Sequence, residues 1–249
     1  MASNADFKAR LTAREALLGA FFKTPQPILI EVMARAGFDF LVVDGEHAPF
    51  DRGDIDTMVI AGRAAGLPLI VRVPDPGWIG YVLDAGAAGI MVPHVTSAEQ
   101  ARALVRAVRY GPGGRGFAGT TRAADYAARS MGDHLGHPEA ECALICQIEE
   151  PEGVEAAEEI AAVEGVDCLF VGRADLAVSG GINDFFAPEV IDQTNRTLGV
   201  SGAATGLYCA PTEETAPFRA AGGSMFVVGS DHTLMVQGGR ALREAFERG

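Results

Sequence analysis

Lysine is nearly absent from this chain: its 249 residues hold only Lys8 and Lys23. Imine chemistry on a lysine nucleophile therefore has one candidate, Lys23, which falls near a strand end. Positive charge is scarce overall, with 20 Lys and Arg against 33 Asp and Glu and a formal net charge of −13. That balance, with no Lys- or Arg-rich run, argues against a nucleic-acid partner. It also means that local cations must hold any anionic ligand against a repulsive field. No apolar run approaches the ~18 residues of a membrane helix, so no membrane association is expected. The opening residues Met1 to Asp6 lack the basic and apolar regions of a secretory signal. Only four cysteines occur, Cys142, Cys146, Cys168 and Cys209, all within or at the ends of expected strands. That excludes a disulfide framework and points to free, mostly buried thiols in a cytoplasmic protein. One glycine-rich stretch, Gly114-Arg-Gly116-Phe-Ala-Gly119, has the letters of a dinucleotide fingerprint. It follows a helix rather than a strand, so the turn that presents backbone N–H groups to a pyrophosphate is missing.

What is present is an alternation of strand and helix. Apolar runs predict strands at 17–22, 40–44, 68–73, 89–93, 143–149, 166–171, 205–209 and 225–228. Helical spacing predicts helices at 27–36, 51–65, 77–85, 98–109, 152–163, 188–197, 212–221 and 234–248. Gly37, Gly86, Gly165 and Gly222 each close a helix, and seven residues later come Asp44, Pro93, Gly172 and Gly229, with an apolar strand between. A recurring unit with glycine at the turn is what an α/β (β/α)8 TIM barrel requires, and about 250 residues is its usual size. Residues 1–249 are thus read as a single barrel domain, with an open doubly wound sheet as the alternative. In both folds chemistry gathers at the carboxyl ends of the strands.

The chain is organised around 143–175, a βαβ unit in which both strands end in a carboxylate. Side chains alternate along a strand, so Gln147 and Glu149 share a face. Asp175 lies just past the next strand, and parallel pairing brings the two acids together. Neighbouring carboxylates repel unless a cation or a shared proton holds them, and the reading is a divalent metal site; a solvated pair of acids is the alternative. Other strand ends supply Asp44, Glu46 and His47 after the second strand and Arg72 at the end of the third. The sixth adds Ala174. Arg72 reads as an anion clamp or as an ion pair at the core edge. Asp44 and Glu46 either orient His47 or hold the turn. His94, after the fourth strand, lines the pocket or packs. His134 and His137 fall in a long Gly/His/Pro stretch, which fits a lid or subunit contact better than a metal pair.

These groups suit enolate formation. Two carboxylates, water and the paired oxygens of a 2-oxo acid fill the octahedral shell of Mg2+ or Mn2+, with Co2+ or Zn2+ also admitted. A guanidinium stabilises the oxygen charge that develops, and an imidazole moves the proton.

In order, Asp44-Gly-Glu-His47-Ala-Pro, Val71-Arg72, Leu83-Asp84-Ala-Gly, Val92-Pro93, Arg109-Tyr110 with Arg115-Gly116, Gln147-Ile-Glu149 and Gly172-Arg-Ala-Asp175-Leu resemble the class II pyruvate aldolases. These are the HpcH/HpaI type, exemplified by 4-hydroxy-2-oxoheptanedioate aldolase, and the resemblance runs from about residue 17 to 246. It implies a (β/α)8 barrel whose C-terminal helix is exchanged between subunits of a homo-hexamer built as a trimer of dimers. It also implies a metal-dependent, reversible aldol cleavage to pyruvate, or a close analogue such as hydroxypyruvate, plus an aldehyde, of the kind used in aromatic compound catabolism. By position it makes Glu149 and Asp175 the metal ligands, and Gln147 with the backbone of Ala174 and Asp175 the keto-acid contacts. His47 becomes the base, Arg72 the transition-state stabiliser, and Asp84 the acid that raises the basicity of the histidine. Asp84 ends a helix at the bottom of its own barrel, so it is expected to reach a rim histidine only from a neighbouring subunit. Two departures bear on the aldehyde: Arg173, a flexible cation, stands where these proteins usually carry proline, and Tyr110-Gly-Pro replaces Tyr-Pro-Pro. Two other readings stand beside this one, an oxaloacetate-type 2-oxo-diacid decarboxylase and a non-catalytic keto-acid-binding barrel.

Overall fold

A computed structural model describes residues 3–209 and 214–249. Eight parallel strands close into a barrel in sequence order: β1 Leu17–Phe22, β2 Phe40–Asp44, β3 Leu69–Arg72, β4 Gly89–Val92, β5 Ala143–Ile148, β6 Cys168–Val171, β7 Ala204–Tyr208 and β8 Met225–Ser230. Closure excludes the open sheet. The helices are α1 Asn4–Thr12, α2 Pro27–Arg35, α3 Arg52–Ala65, α4 Ile79–Asp84, α5 Ala98–Val108, α6 Met131–Glu141, α7 Pro151–Glu155, α8 Ala157–Ala161, α9 Arg173–Ser179, α10 Pro188–Leu198, α11 Thr215–Ala220 and α12 Asp231–Arg248. None of the described helices is long and apolar enough to cross a membrane.

Strand alternation divides the core in two. Leu41, Val43, Val71, Ile90, Leu144, Cys146, Leu169 and Val171 face outward and pack under the helices. Leu17, Phe21, Phe40, Val42, Ile70, Met91, Ile145, Phe170 and Val227 fill the barrel itself. Interior layers are completed by pairing small residues with large ones: a Cβ on Gly19 would collide with the Phe40 ring, and one on Gly206 with Met225. Followed upward, the inward-facing series of β2, β3 and β5 end in polar residues, which delivers Asp44, Arg72 and Gln147 to the carboxyl rim. The four turn glycines take left-handed backbone as their spacing demands, with φ of 87° at Gly37, 90° at Gly86, 103° at Gly165 and 116° at Gly222.

Several elements depart from the sequence reading. Helix α1 has no counterpart among the helices that apolar spacing predicts. Ser3 and Asp6 form a capping box that starts it, and its two buried apolar side chains, Phe7 and Leu11, plug the amino-terminal end of the barrel, with the Phe7 ring 5.5 Å from Phe40. Burying the two contributes about 1.5–3 kcal/mol each. The stretch holding His134 and His137 is not a lid. It forms α6, started by a Ser130 cap, and packs beside α1 on the floor of the barrel with both histidines buried. Glycines and an internal proline hide this helix in the sequence, and packing restores it. The helix expected at 152–163 breaks into α7 and α8 at Ala156, where ψ is 1°, and the apolar spacing carries no mark of that break. The helix expected from 77 opens with a single 3-10 turn, Pro76–Trp78. The expected start at Thr212 lies outside the described residues.

Candidate active site

Asp44 and Arg72 are the last residues of β2 and β3 and lie in register. Arg72 donates to Asp44 Oδ1 from Nε at 3.0 Å and Nη2 at 2.7 Å, reaches Glu46 Oε2 at 3.3 Å, and lies 4.7 Å over the Phe21 ring. Lys23 Nζ closes on Asp44 Oδ2 at 2.9 Å, and the backbone N–H of His47 donates to Oδ1 at 3.1 Å. Burial by itself raises the Asp44 carboxyl. The Arg72 charge, the Lys23 ammonium and the His47 N–H outweigh it and hold the group below its ordinary range. Asp44 therefore holds the turn and fixes Arg72. Glu46 is the carboxylate facing the His47 imidazole, with Oε2 3.7 Å from Nε2. Gly45 is needed between them, because a Cβ there would sit 2.7 Å from the Arg72 carbonyl.

Across the rim, Glu149 is 2% exposed. It accepts from the His94 backbone N–H at 2.8 Å and from the Gln147 side-chain amide, and the His94 ring nitrogen Nδ1 lies 3.2 Å away. Burial pushes its carboxyl up, and the negative charges of Asp175 and Glu46 push the same way, against the pull of His94. Asp175, just past β6, lies in the first turn of α9. Gly172, just before that helix, leaves open the space where a Cβ would stand 2.8 Å from Glu149 Oε2 and 3.0 Å from Gln147 Nε2. Gln147 Oε1 is buried without a hydrogen-bond partner among the described residues. His47, Arg72, Gln147, Arg173, Ala174 and Asp175 line one cavity of about 200 Å³.

Of the two places the sequence allows His94, lining the pocket or packing, the structure shows it on the rim. Its ring is 58% exposed, bridging toward Glu149, Glu150 and Glu46 at 3.2, 3.1 and 3.7 Å. A φ of 58° turns its N–H onto Glu149, and Gln100 fixes the loop by bonding the His94 carbonyl at 3.0 Å. The Val92-Pro93 strand end is the one sequence signal for this residue. Arg173 is not flexible: it is 4% exposed and held by Glu214 and by the Tyr208 carbonyl. Asp84 stands apart from the other rim candidates. It ends α4, pairs with Arg115 at 2.6 Å, and neighbours Gly86, whose carbonyl accepts from Asn4 of the α1 plug.

Comparison with known proteins places this arrangement. The chain is 36% identical over 242 residues to the hydroxypyruvate/pyruvate aldolase of Roseovarius nubinhibens, covering 94% of this chain and 93% of that protein. It is 34% identical over 250 residues to the 5-keto-4-deoxy-D-glucarate aldolase of Shigella boydii serotype 18, covering 97% and 96%. The sequence profile of the HpcH/HpaI aldolase/citrate lyase family matches residues 17–238. This chain belongs to the HpcH/HpaI aldolase/citrate lyase family. Its barrel superposes on a family protein from Burkholderia cenocepacia J2315 with a TM-score of 0.89 at 37% identity, covering 98% of each chain. As a member of the HpcH/HpaI family it is a carbon–carbon lyase of the aldolase type.

Proposed function

We propose that this lyase reversibly cleaves 4-hydroxy-2-oxo acids to pyruvate or hydroxypyruvate and an aldehyde, with a divalent cation held by Glu149 and Asp175. The observation that carries the reading is the state of Glu149: buried, pushed up by burial and by Asp175, and facing the space that Gly172 leaves free. Two carboxylates and open space suit a hard cation such as Mg2+ or Mn2+ whose remaining positions go to water and substrate oxygens. Among the described residues no group of three or more His, Cys, Asp or Glu is placed to hold a metal ion, so a cation here would rest on Glu149 and Asp175 alone. When bound, such a cation supplies Lewis-acid polarisation of a keto oxygen, on the order of several kcal/mol.

The chain's own residues do the rest. Backbone N–H groups of Ala174 and Asp175 hold the substrate carboxylate, and the unpartnered Gln147 Oε1 accepts a hydrogen bond from a water or hydroxyl beside it. His47, with Glu46 behind its ring, takes the proton of the C4 hydroxyl. The C3–C4 bond then breaks, its electrons pass toward the 2-oxo group, and the aldehyde departs. Arg72, fixed by Asp44, lies on the oxygen that gains charge. Proton return to C3 completes the keto acid. The name of the Roseovarius nubinhibens relative supports a pyruvate-type product, and that of the Shigella boydii relative a sugar-derived keto acid as substrate. Asp84 would act on a neighbouring subunit's His47, and a second copy of the chain covering α12 is supported by Leu242 and Phe246, which are 75% and 79% exposed.

The test is pyruvate release from a panel of 4-hydroxy-2-oxo acids, with Mg2+ or Mn2+ and with EDTA. Metal-dependent release is expected, and none from any member of the panel would overturn the assignment.

A further inference from the structure

Among the described residues Lys23, Arg72 and Arg173 bring positive charge to the rim of the barrel, and each meets a carboxylate of the chain itself. Arg72 binds Asp44 and Glu46, and Lys23 binds Asp44. Arg173 differs. It is the first residue of α9, directly before Ala174 and Asp175, and it lines the same cavity as His47 and Arg72. One nitrogen, Nη2, donates to Glu214 Oε2 at 3.0 Å and to the Tyr208 carbonyl at 3.2 Å. Three rings box the guanidinium, Phe218 at 4.8 Å, Phe185 at 5.5 Å and Phe186 at 5.7 Å. Its other two nitrogens, Nε and Nη1, are buried and have no partner among the described residues.

A buried donor without an acceptor is costly, and in native proteins such a group calls for a reason. A guanidinium fixed by aromatic rings, with donors left over beside a ligand cavity, is arranged to receive a carboxylate. In a chain of net charge −13 the need for a local cation is acute. We infer that Arg173 is a specificity-determining residue that binds a carboxylate of a substrate, with Glu214 as the internal anion that competes for it. This rests on the aldolase reading above and adds to it the charge class of the ligand on this side of the cavity. The carboxylate belongs either to the 2-oxo acid or to the aldehyde.

The experiment runs the metal-loaded enzyme in the condensation direction with pyruvate and either glyoxylate or glycolaldehyde, for wild type, Arg173→Gln, Arg173→Lys and Glu214→Gln. Arg173→Gln should raise one KM by about tenfold or more, the loss of one charged hydrogen bond. Arg173→Lys should raise it by less, and Glu214→Gln should lower it. A raised KM for pyruvate assigns the contact to the 2-oxo acid. A raised KM for glyoxylate with that for glycolaldehyde unchanged assigns it to the aldehyde. If the folded variants alter none of these values by more than about threefold, the role is overturned; should Arg173→Gln fail to fold, Arg173→Lys and Glu214→Gln decide by their opposite signs. Calorimetric binding of pyruvate and glyoxylate to the same proteins separates the two ideas. Absent turnover in wild type with Arg173-dependent binding sinks the aldolase reading alone, and binding of both acids indifferent to Arg173 sinks this one.

Discussion

Glu149 at the rim of the barrel and Glu141 at its floor are both shielded glutamates, and the protein drives them in opposite directions. At the floor, a hydrogen bond with His137 acts first and a second with Arg129 adds to it, against burial, and the Glu141 carboxyl falls to about 2. At the rim, burial dominates, Asp175 and Glu46 repel, and the Glu149 carboxyl rises. Most charges at the floor are met from within: Glu141 meets His137 and Arg129, Lys8 meets Asp167 at 3.0 Å, and Arg115 meets Asp84 through Nη2 while its Nε and Nη1 stay buried without a partner among the described residues. The rim leaves a negative pair without a cation of its own. The floor pairs its glutamate with cations, and the rim keeps an acidic pair open to something that binds.

The contrast can be broken at four points. Glu149→Gln should have the largest effect, lowering metal-stimulated turnover by about 10^3-fold if the cation contributes several kcal/mol; turnover that still responds equally to Mn2+ and EDTA would move the site elsewhere. His47→Ala follows, with roughly 10^2-fold or more lost from kcat, the usual scale of a proton-transfer group, and the melting temperature should hold. Phe7→Ala tests the opposite end. It should cost about 3–5 kcal/mol in urea-denaturation stability while the folded fraction keeps its kcat, and a matching collapse of kcat would show that floor and rim are one unit.

Glu141→Gln is the smallest, about 1 kcal/mol at neutral pH after allowing for solvent screening of a side chain that is 27% exposed. Because folding lowers this carboxyl from 4.5 to about 2, the stabilisation is fully present above pH ~4.5 and fades as pH falls toward 2. The stability difference between wild type and variant should therefore shrink across that interval, and a difference independent of pH would assign the role to packing.

The strands were legible because parallel barrel strands are buried on both faces and read as unbroken apolar runs. The rim followed from them: once β2, β3 and β5 end where the apolar runs stop, Asp44, Arg72, Gln147 and Glu149 must emerge together. Residues whose role depends on something distant in sequence did not show. Phe7 and Leu11 are too few to mark an amphipathic helix until the open floor of the barrel is there to receive them. Arg173 reads as a loose cation until Phe185, Phe186 and Phe218 close around it. His94 depends on a left-handed backbone, uncommon in any residue but glycine, that no local pattern in the sequence announces. Asp44 and Glu46 could not be told apart until the turn at Gly45 sent one to Arg72 and the other to His47.

The interlocking of Gly19 with Phe40 and of Gly206 with Met225 carries a lesson for anyone redesigning this scaffold. At Gly19 an added methyl group has nowhere to go until the Phe40 ring is trimmed, and at Gly206 it would meet the Met225 backbone carbonyl, which no side-chain exchange removes. New activities will be reached through double exchanges inside the cylinder or, with far less resistance, through the loops that crown it.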